Sequence, residues 1–121
     1  MRVLIIEDEE KTADYLHRGL TEQGYTVDVA RDGVEGLHRA LENDYAVIVL
    51  DVMLPGLDGF ALARRIRELN PQVPILFLSA RALGEDRITG LRTGADDYIT
   101  KPFSTREVIE RVRQYMPVMN G

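Results

Sequence analysis

Short apolar runs alternate with amphipathic stretches along the whole chain. Five runs read as strands: RVLII (2–6), TVDVA (26–30), AVIVL (46–50), PILFL (74–78) and a last one over 96–100 containing DYIT. AVIVL is apolar throughout and suits a strand buried on both faces, whereas TVDVA alternates and suits an edge strand with one wet face. Between them the spacing predicts helices over 10–23, 34–43, 60–69, 82–93 and 105–116. The first puts Ala13, Leu16 and Leu20 on one face and stops at Gly24. The second is expected to bury Val34, Leu37 and Leu41. The third ends before Pro71 and the fourth at Gly94. Ser104 caps the last, which packs through Val108, Ile109, Val112 and Met116. The segment DVMLPGLDG (51–59) holds one Pro and two Gly and reads as a loop.

Strands alternating with helices of this length indicate βαβ units and a parallel sheet. Right-handed crossovers with helices on both faces give a doubly wound (βα)5 fold, a five-stranded α/β sheet of flavodoxin-like order 2-1-3-4-5. In that order the first and third strands are neighbours at the switch point, where open sheets bind ligands beyond the carboxyl ends of their strands.

That edge is where the reactive side chains fall. Asp8, Asp51, Ser79 and Lys101 each follow one of the strands, with Glu7 beside Asp8. Three close carboxylates raise one another's pKa values unless a cation relieves the repulsion. Oxygen ligands suit a hard ion such as Mg²⁺, which keeps several waters. Asp8 and Asp51 are expected to ligate directly, Glu7 through water, and the Met53 backbone carbonyl as a further oxygen. A hydroxyl and an ammonium suit a phosphoryl group. Asp51 then reads as a nucleophile forming an aspartyl phosphate, with the metal and Lys101 offsetting its charge and Ser79 donating to a phosphoryl oxygen. Taken singly, each residue has a plainer role: an acidic helix start, a turn aspartate, an ordinary Lys-Pro loop. The joint arrangement at four strand ends does not.

Composition narrows the classes. The chain has 121 residues, 45% hydrophobic and 29% charged, which argues for one domain over 1–116 with a frayed tail or linker start at 117–121. No apolar stretch approaches the roughly 20 residues of a membrane span, so no membrane association is expected. The absence of cysteine excludes disulfides and thiolate chemistry and fits a cytoplasmic protein. A net charge of −5 disfavours direct nucleic-acid binding by this segment. His17 and His38 fall on exposed helix faces and read as neither ligands nor phosphoacceptors.

The motifs VLIIEDEE (3–10), VLDVMLPGLDGF (49–60), LSA (78–80) and GADDYITKPF (94–103), with their spacing, resemble those of a response-regulator receiver domain, CheY-like in fold, over residues 1 to about 116. The resemblance implies Glu7 and Asp8 as the acidic pair and Asp51 as phosphoacceptor. It further implies Ser79 and Tyr98 as switch residues, Lys101 as the phosphate-contacting lysine and a cis Lys101–Pro102 peptide. Ser79 stands where threonine is commoner, which keeps the hydroxyl and loses a methyl. GADDYITKPF together with Arg87, Glu107, Arg111 and Arg113 is similar to the OmpR/PhoB subfamily, and the first sixty residues are most similar to its heavy-metal-responsive members. The implied function is a two-component switch that takes a phosphoryl group from a sensor histidine kinase. The implied output is a homodimer through Arg87, Leu91, Asp96, Asp97, Glu107, Ile109, Arg111 and Arg113. Met53 and Arg81 lie beside the site and are expected to tune phosphate lifetime. Members of that subfamily bind DNA through a C-terminal winged-helix domain, so this chain is expected to be a receiver cut from a longer regulator.

Three other readings fit less well. An FMN carrier of the same sheet order needs a Ser/Thr/Gly-rich phosphate loop after the first strand, where this chain puts EDEE. A phosphoaspartate hydrolase of the haloacid-dehalogenase type needs its nucleophile after the first strand and a substrate cap, for which there is no room. An unphosphorylated scaffold would not need Asp8, Asp51 and Lys101 together.

Overall fold

The computed structural model describes residues 1–55, 57–79 and 96–116. The helix expected over 82–93, with Arg81, Arg87, Leu91 and Gly94, lies outside the described residues, as does the tail 117–121. In chain order the described elements are β1 (Arg2–Ile6), α1 (Glu10–Glu22), β2 (Thr26–Ala30), α2 (Gly33–Glu42), β3 (Val47–Asp51), β4 (Met53–Leu54), β5 (Leu57–Asp58), α3 (Gly59–Leu69), β6 (Ile75–Ser79), β7 (Asp97–Thr100) and α4 (Thr105–Gln114).

Five strands pair in parallel in the order β2-β1-β3-β6-β7. Leaving out the two-residue strands β4 and β5, this is the 2-1-3-4-5 order that the alternation of runs implies. Period-two side-chain alternation splits the sheet's apolar residues between two cores. Leu4, Ile6, Ile48, Leu50, Ile75 and Phe77 face α2 and α3 together with Phe60, Leu62 and Ile66. Val3, Ile5, Val47, Val49, Leu76 and Leu78 face α1 and α4 together with Leu16, Leu20, Val108 and Val112. β3 and β6 are buried along their full length, as continuous apolar runs require.

Helix starts are set by local chemistry. Asp32, Asp58 and Ser104 each accept a hydrogen bond from a first-turn amide, those of Glu35, Phe60 and Glu107. Gly24 follows α1 at φ 93°, the left-handed conformation that ends a helix.

Two expectations need correction. The second helix does not bury Val34 and Leu41, which are 68% and 57% exposed; Gly33 and Gly36 are its buried positions, and Leu37 and Ala40 pack partly against the core. A Cβ on Gly36 would lie 2.7 Å from Ile6 Cδ1, so a side chain there would have to push Ile6 aside for α2 to sit this close to β1. The glycine face wins because it permits that approach. The segment 51–59 is also more ordered than a plain loop: β4 and β5 pair antiparallel, Met53 opposite Asp58 and Leu54 opposite Leu57.

Candidate functional site

Strand register carries the reactive residues to one edge. Ile6 pairs with Leu50, Asp51 with Leu78, and Ser79 with Thr100. Glu7 and Asp8 continue β1, Asp51 and Ser79 end β3 and β6, and Lys101 follows β7 directly and is joined to Pro102 by a cis peptide. The Lys101 amide donates to the Ser79 carbonyl at 2.6 Å, which fixes the lysine backbone against its neighbouring strand.

The three carboxylates converge. Glu7, Asp8 and Asp51 each offer an oxygen, all within 4.8 Å of one another. Glu7 is fully buried, Asp51 nearly so, and Asp8 is exposed. Both Asp51 oxygens are held: Oδ1 accepts from the Met53 amide at 2.9 Å and Oδ2 from Lys101 Nζ at 3.2 Å. Lys101 Nζ also reaches Glu7 Oε1, 3.4 Å away. Glu7 Oε1 further accepts from the Glu9 amide at 3.3 Å, while its Oε2 is buried without a hydrogen-bond partner among the described residues.

The electrostatics follow from this crowding. Burial pushes the Glu7 carboxyl up to about 8, reinforced by the neighbouring Asp51 carboxylate. Lys101 and the Glu9 amide oppose the rise. For Lys101, burial alone would lower the pKa, but the Asp51 and Glu7 carboxylates outweigh it and leave it raised. This buried Glu7 oxygen lies beside two further acids, an arrangement whose repulsion a cation would relieve. The donor set, all carboxylate oxygens from the described residues, could hold a hard metal ion.

Three further expected residues, Ser79, Tyr98 and Met53, lie among the described ones. Ser79 is fully buried at the end of β6. Tyr98 is 6% exposed, already turned into the core, its ring edge-on to Phe77 at 6.3 Å. Met53 is 53% exposed and lines, with Asp8, Val52, Leu54, Pro55 and Asp58, an open groove of about 450 Å³ beside the site. Gly59 lets α3 begin against this loop. A Cβ there would lie 2.6 Å from Val52 Cα and 2.7 Å from the Asp51 carbonyl oxygen.

Farther off, Asp97 is paired with Arg111 at 2.7 Å and Asp96 with Arg67 at 3.1 Å, both within the chain. Arg113 donates to Gln23 Oε1 at 2.7 Å. Ile109 is half-buried over Gly19 of α1. His17 and His38 are exposed. The sequence reading missed two residues that touch this architecture. Arg31, after β2, donates from Nη2 to the Asp8 carbonyl oxygen at 3.3 Å. Arg67 of α3 bonds the Pro71 and Val73 carbonyls as well as Asp96. Both contacts depend on a long side chain crossing between elements, which spacing along the chain does not encode.

Residues 3–113 match the family described as "Response regulator receiver domain". The transcriptional activator protein IrlR of Burkholderia pseudomallei (strain 1026b) is 51% identical over 116 residues, 96% of this chain and 50% of its own length. The chain thus spans about half the length of the curated relatives it matches. Among solved structures, the receiver domain of the Francisella response regulator 1452 superposes with a TM-score of 0.90 at 42% identity, covering 94% of each chain. A response regulator protein from Burkholderia pseudomallei "with a phosphorylated aspartic acid, calcium ion and citrate" superposes at 0.85 with 30% identity, over 92% of this chain and 65% of that one. No helix among the described residues is long and apolar enough to cross a membrane.

Proposed function

The chain belongs to the response regulator receiver domain family, and from that premise we propose that it is a phosphorylation switch with Asp51 as its phosphoacceptor. The observation that carries this reading is the Asp51 carboxylate itself. It is buried, held by the Met53 amide and Lys101, and clustered with Glu7 and Asp8. The Burkholderia protein with a phosphorylated aspartic acid lends it support.

An Asp51 oxygen attacks the phosphorus of a phosphohistidine on a sensor kinase. The O–P bond forms as the P–N bond breaks, and the electron pair returns to the imidazole nitrogen, which takes up a proton. Lys101 neutralises charge on the arriving oxygens, and the Ser79 hydroxyl donates to one of them. Bound Mg²⁺ would relieve repulsion among the carboxylates and offset phosphoryl charge. Asp8 and Asp51 would hold it directly, Glu7 through water, and the Met53 carbonyl would complete the protein's share. Met53, beside the site, together with Arg81 would limit the water that hydrolyses the phosphate. The chain is no enzyme in the ordinary sense, because the group it processes is its own.

The kinase is expected on the open groove of about 450 Å³ between α1 and the loop after β7, lined by Glu9, Thr12, Tyr15, Lys101, Pro102, Phe103 and Thr105. Ser79 drawn to the phosphate, with Tyr98 held in its inward position, would bias the face that includes β7 and α4 toward a two-fold dimer. Asp96, Asp97, Glu107, Arg111 and Arg113 would carry it with Arg87 and Leu91, while Ile109 faces α1. That dimer would control DNA binding by an output domain in a longer cytoplasmic regulator. Incubation with acetyl phosphate, with and without Mg²⁺, followed by intact mass, tests the reading. One added phosphate that needs Mg²⁺ and is lost in Asp51→Asn supports it; equal labelling of that variant rejects it.

A further inference from the structure

The peptide group joining Asp8 to Glu9 is gripped at both ends. Its N–H donates to Glu7 Oε1 and its carbonyl oxygen accepts from Arg31 Nη2, each at 3.3 Å. That distance is at the long end for a hydrogen bond, but both contacts are charge-assisted. Fixing this peptide plane fixes the backbone torsion of Asp8, and so the direction in which its exposed carboxylate leaves the chain.

Arg31 is itself anchored. Its amide donates to Glu35 Oε2 at 3.3 Å, Glu35 is braced by Arg39 at 3.6 Å, and the Glu35 amide is capped by Asp32 at 2.8 Å. The residue before it, Ala30, accepts from the Glu7 amide at 3.0 Å. The first turn of α2 therefore sets where the guanidinium lies over the β1–α1 connection. A continuous line results, from Lys101 through Glu7 and the Asp8–Glu9 peptide to Arg31.

We propose that Arg31 is a positioning residue for the acidic site, clamping the Asp8 carbonyl so that the Asp8 carboxylate is held ready for a divalent cation. This rests on the reading of Glu7, Asp8 and Asp51 as a Mg²⁺ site and names a residue that tunes it. The opposing effect has the opposite sign. Arg31 is exposed and positive, and as a mere point charge it repels a cation. Its removal would then tighten Mg²⁺ binding, most visibly at low salt. As a clamp, its removal weakens binding, as loss of an outer-shell partner does.

The test is calorimetric Mg²⁺ titration of the wild type, Arg31→Met and Arg31→Lys, with amide hydrogen exchange of the metal-free proteins. In Arg31→Met, Mg²⁺ binding should weaken roughly tenfold, the low end for outer-shell changes. The Glu9 amide should exchange faster while the core strands keep their protection. Arg31→Lys, which keeps the charge and N–H donors on a single nitrogen, should recover part of the affinity. Unchanged or tighter binding in Arg31→Met overturns the clamp, and so does a lysine variant with no recovery. A wild type that binds no Mg²⁺ overturns the metal site as well, whereas wild-type binding with an indifferent Arg31→Met removes the clamp alone.

Discussion

Lys101 reaches across the sheet edge to place Nζ 3.2 Å from Asp51 Oδ2, closing a contact between residues fifty positions apart in sequence. The same ammonium lies 3.4 Å from Glu7 Oε1. It is the one side-chain cation among the described residues paired with the buried carboxylates, and its side chain is 22% exposed.

Lys101→Ala should therefore destabilise the metal-free protein. Losing one partner of a buried pair costs about 3–5 kcal/mol; with the lysine partly wet, about 2 kcal/mol is expected here. Mg²⁺ should restore part of the loss, since it replaces the missing counter-charge. Urea unfolding with chelator and with excess Mg²⁺ measures both. A variant as stable as wild type in chelator would mean the acids are not held against repulsion by this lysine.

Glu7 makes the metal-free protein pH-sensitive in a direction opposite to ordinary carboxylates. Its folded pKa, about 8, is above the ordinary glutamate value of 4.5 because burial disfavours the charge. The folded state binds the extra proton between those values, so this contribution to stability is complete below about pH 4.5 and declines as pH rises through about 8. In chelator, wild type should lose stability as pH rises from about 4.5 to about 8, and Glu7→Gln should flatten that slope. Denaturation midpoints across the window check the sign. An equal slope in both proteins would put the titration elsewhere.

Much of this site is legible in the chain because topology does the assembling. Once the runs ending before Asp8, Asp51, Ser79 and Lys101 are parallel strands in one sheet, those residues must share an edge. Side-chain periodicity fails where the packing residue has no side chain. Gly33 and Gly36 carry no apolar signal, yet they decide which face of α2 is buried, and Val34 and Leu41 are left wet. Contacts made by long polar side chains are equally silent. Arg31 to Asp8, Arg67 to Asp96, and Tyr45 to Asp28 at 2.7 Å all join elements that the sequence separates.

Gly59→Ala should damage the site through the backbone alone. The added Cβ would meet Val52 Cα and the carbonyl oxygens of Asp51 and Val52, none of which can swing aside. Overpacking of this kind costs about 1–3 kcal/mol. The strain falls on the loop that orients Asp51 and Met53, so Mg²⁺ affinity should drop with stability. A variant that loses stability but binds Mg²⁺ like wild type would show that α3 yields rather than the loop.

Two acids of the proposed dimer face are already paired within one chain, and that sets how the proposed switch should behave. Asp97 is bonded to Arg111, and Asp96 to Arg67. A two-fold dimer that gives these acids arginines from the other chain exchanges one ion pair for another of the same kind. Exposed pairs contribute only about 0.2–1 kcal/mol each, so the exchange by itself gains little. The protein should be monomeric at tens of micromolar without a phosphoryl mimic. Beryllofluoride with Mg²⁺ should supply the bias, because a ligand shifts a two-state equilibrium only by its differential affinity for the two states. Ser79→Ala should still accept phosphate yet dimerise less, and Arg111→Ala should lose the dimer with phosphorylation intact. Added salt should dissociate the activated dimer, as screening of surface pairs requires. Sedimentation velocity with and without the mimic reads all of these. An unchanged mass in both conditions would reject the dimer switch and leave the chemistry at Asp51 standing.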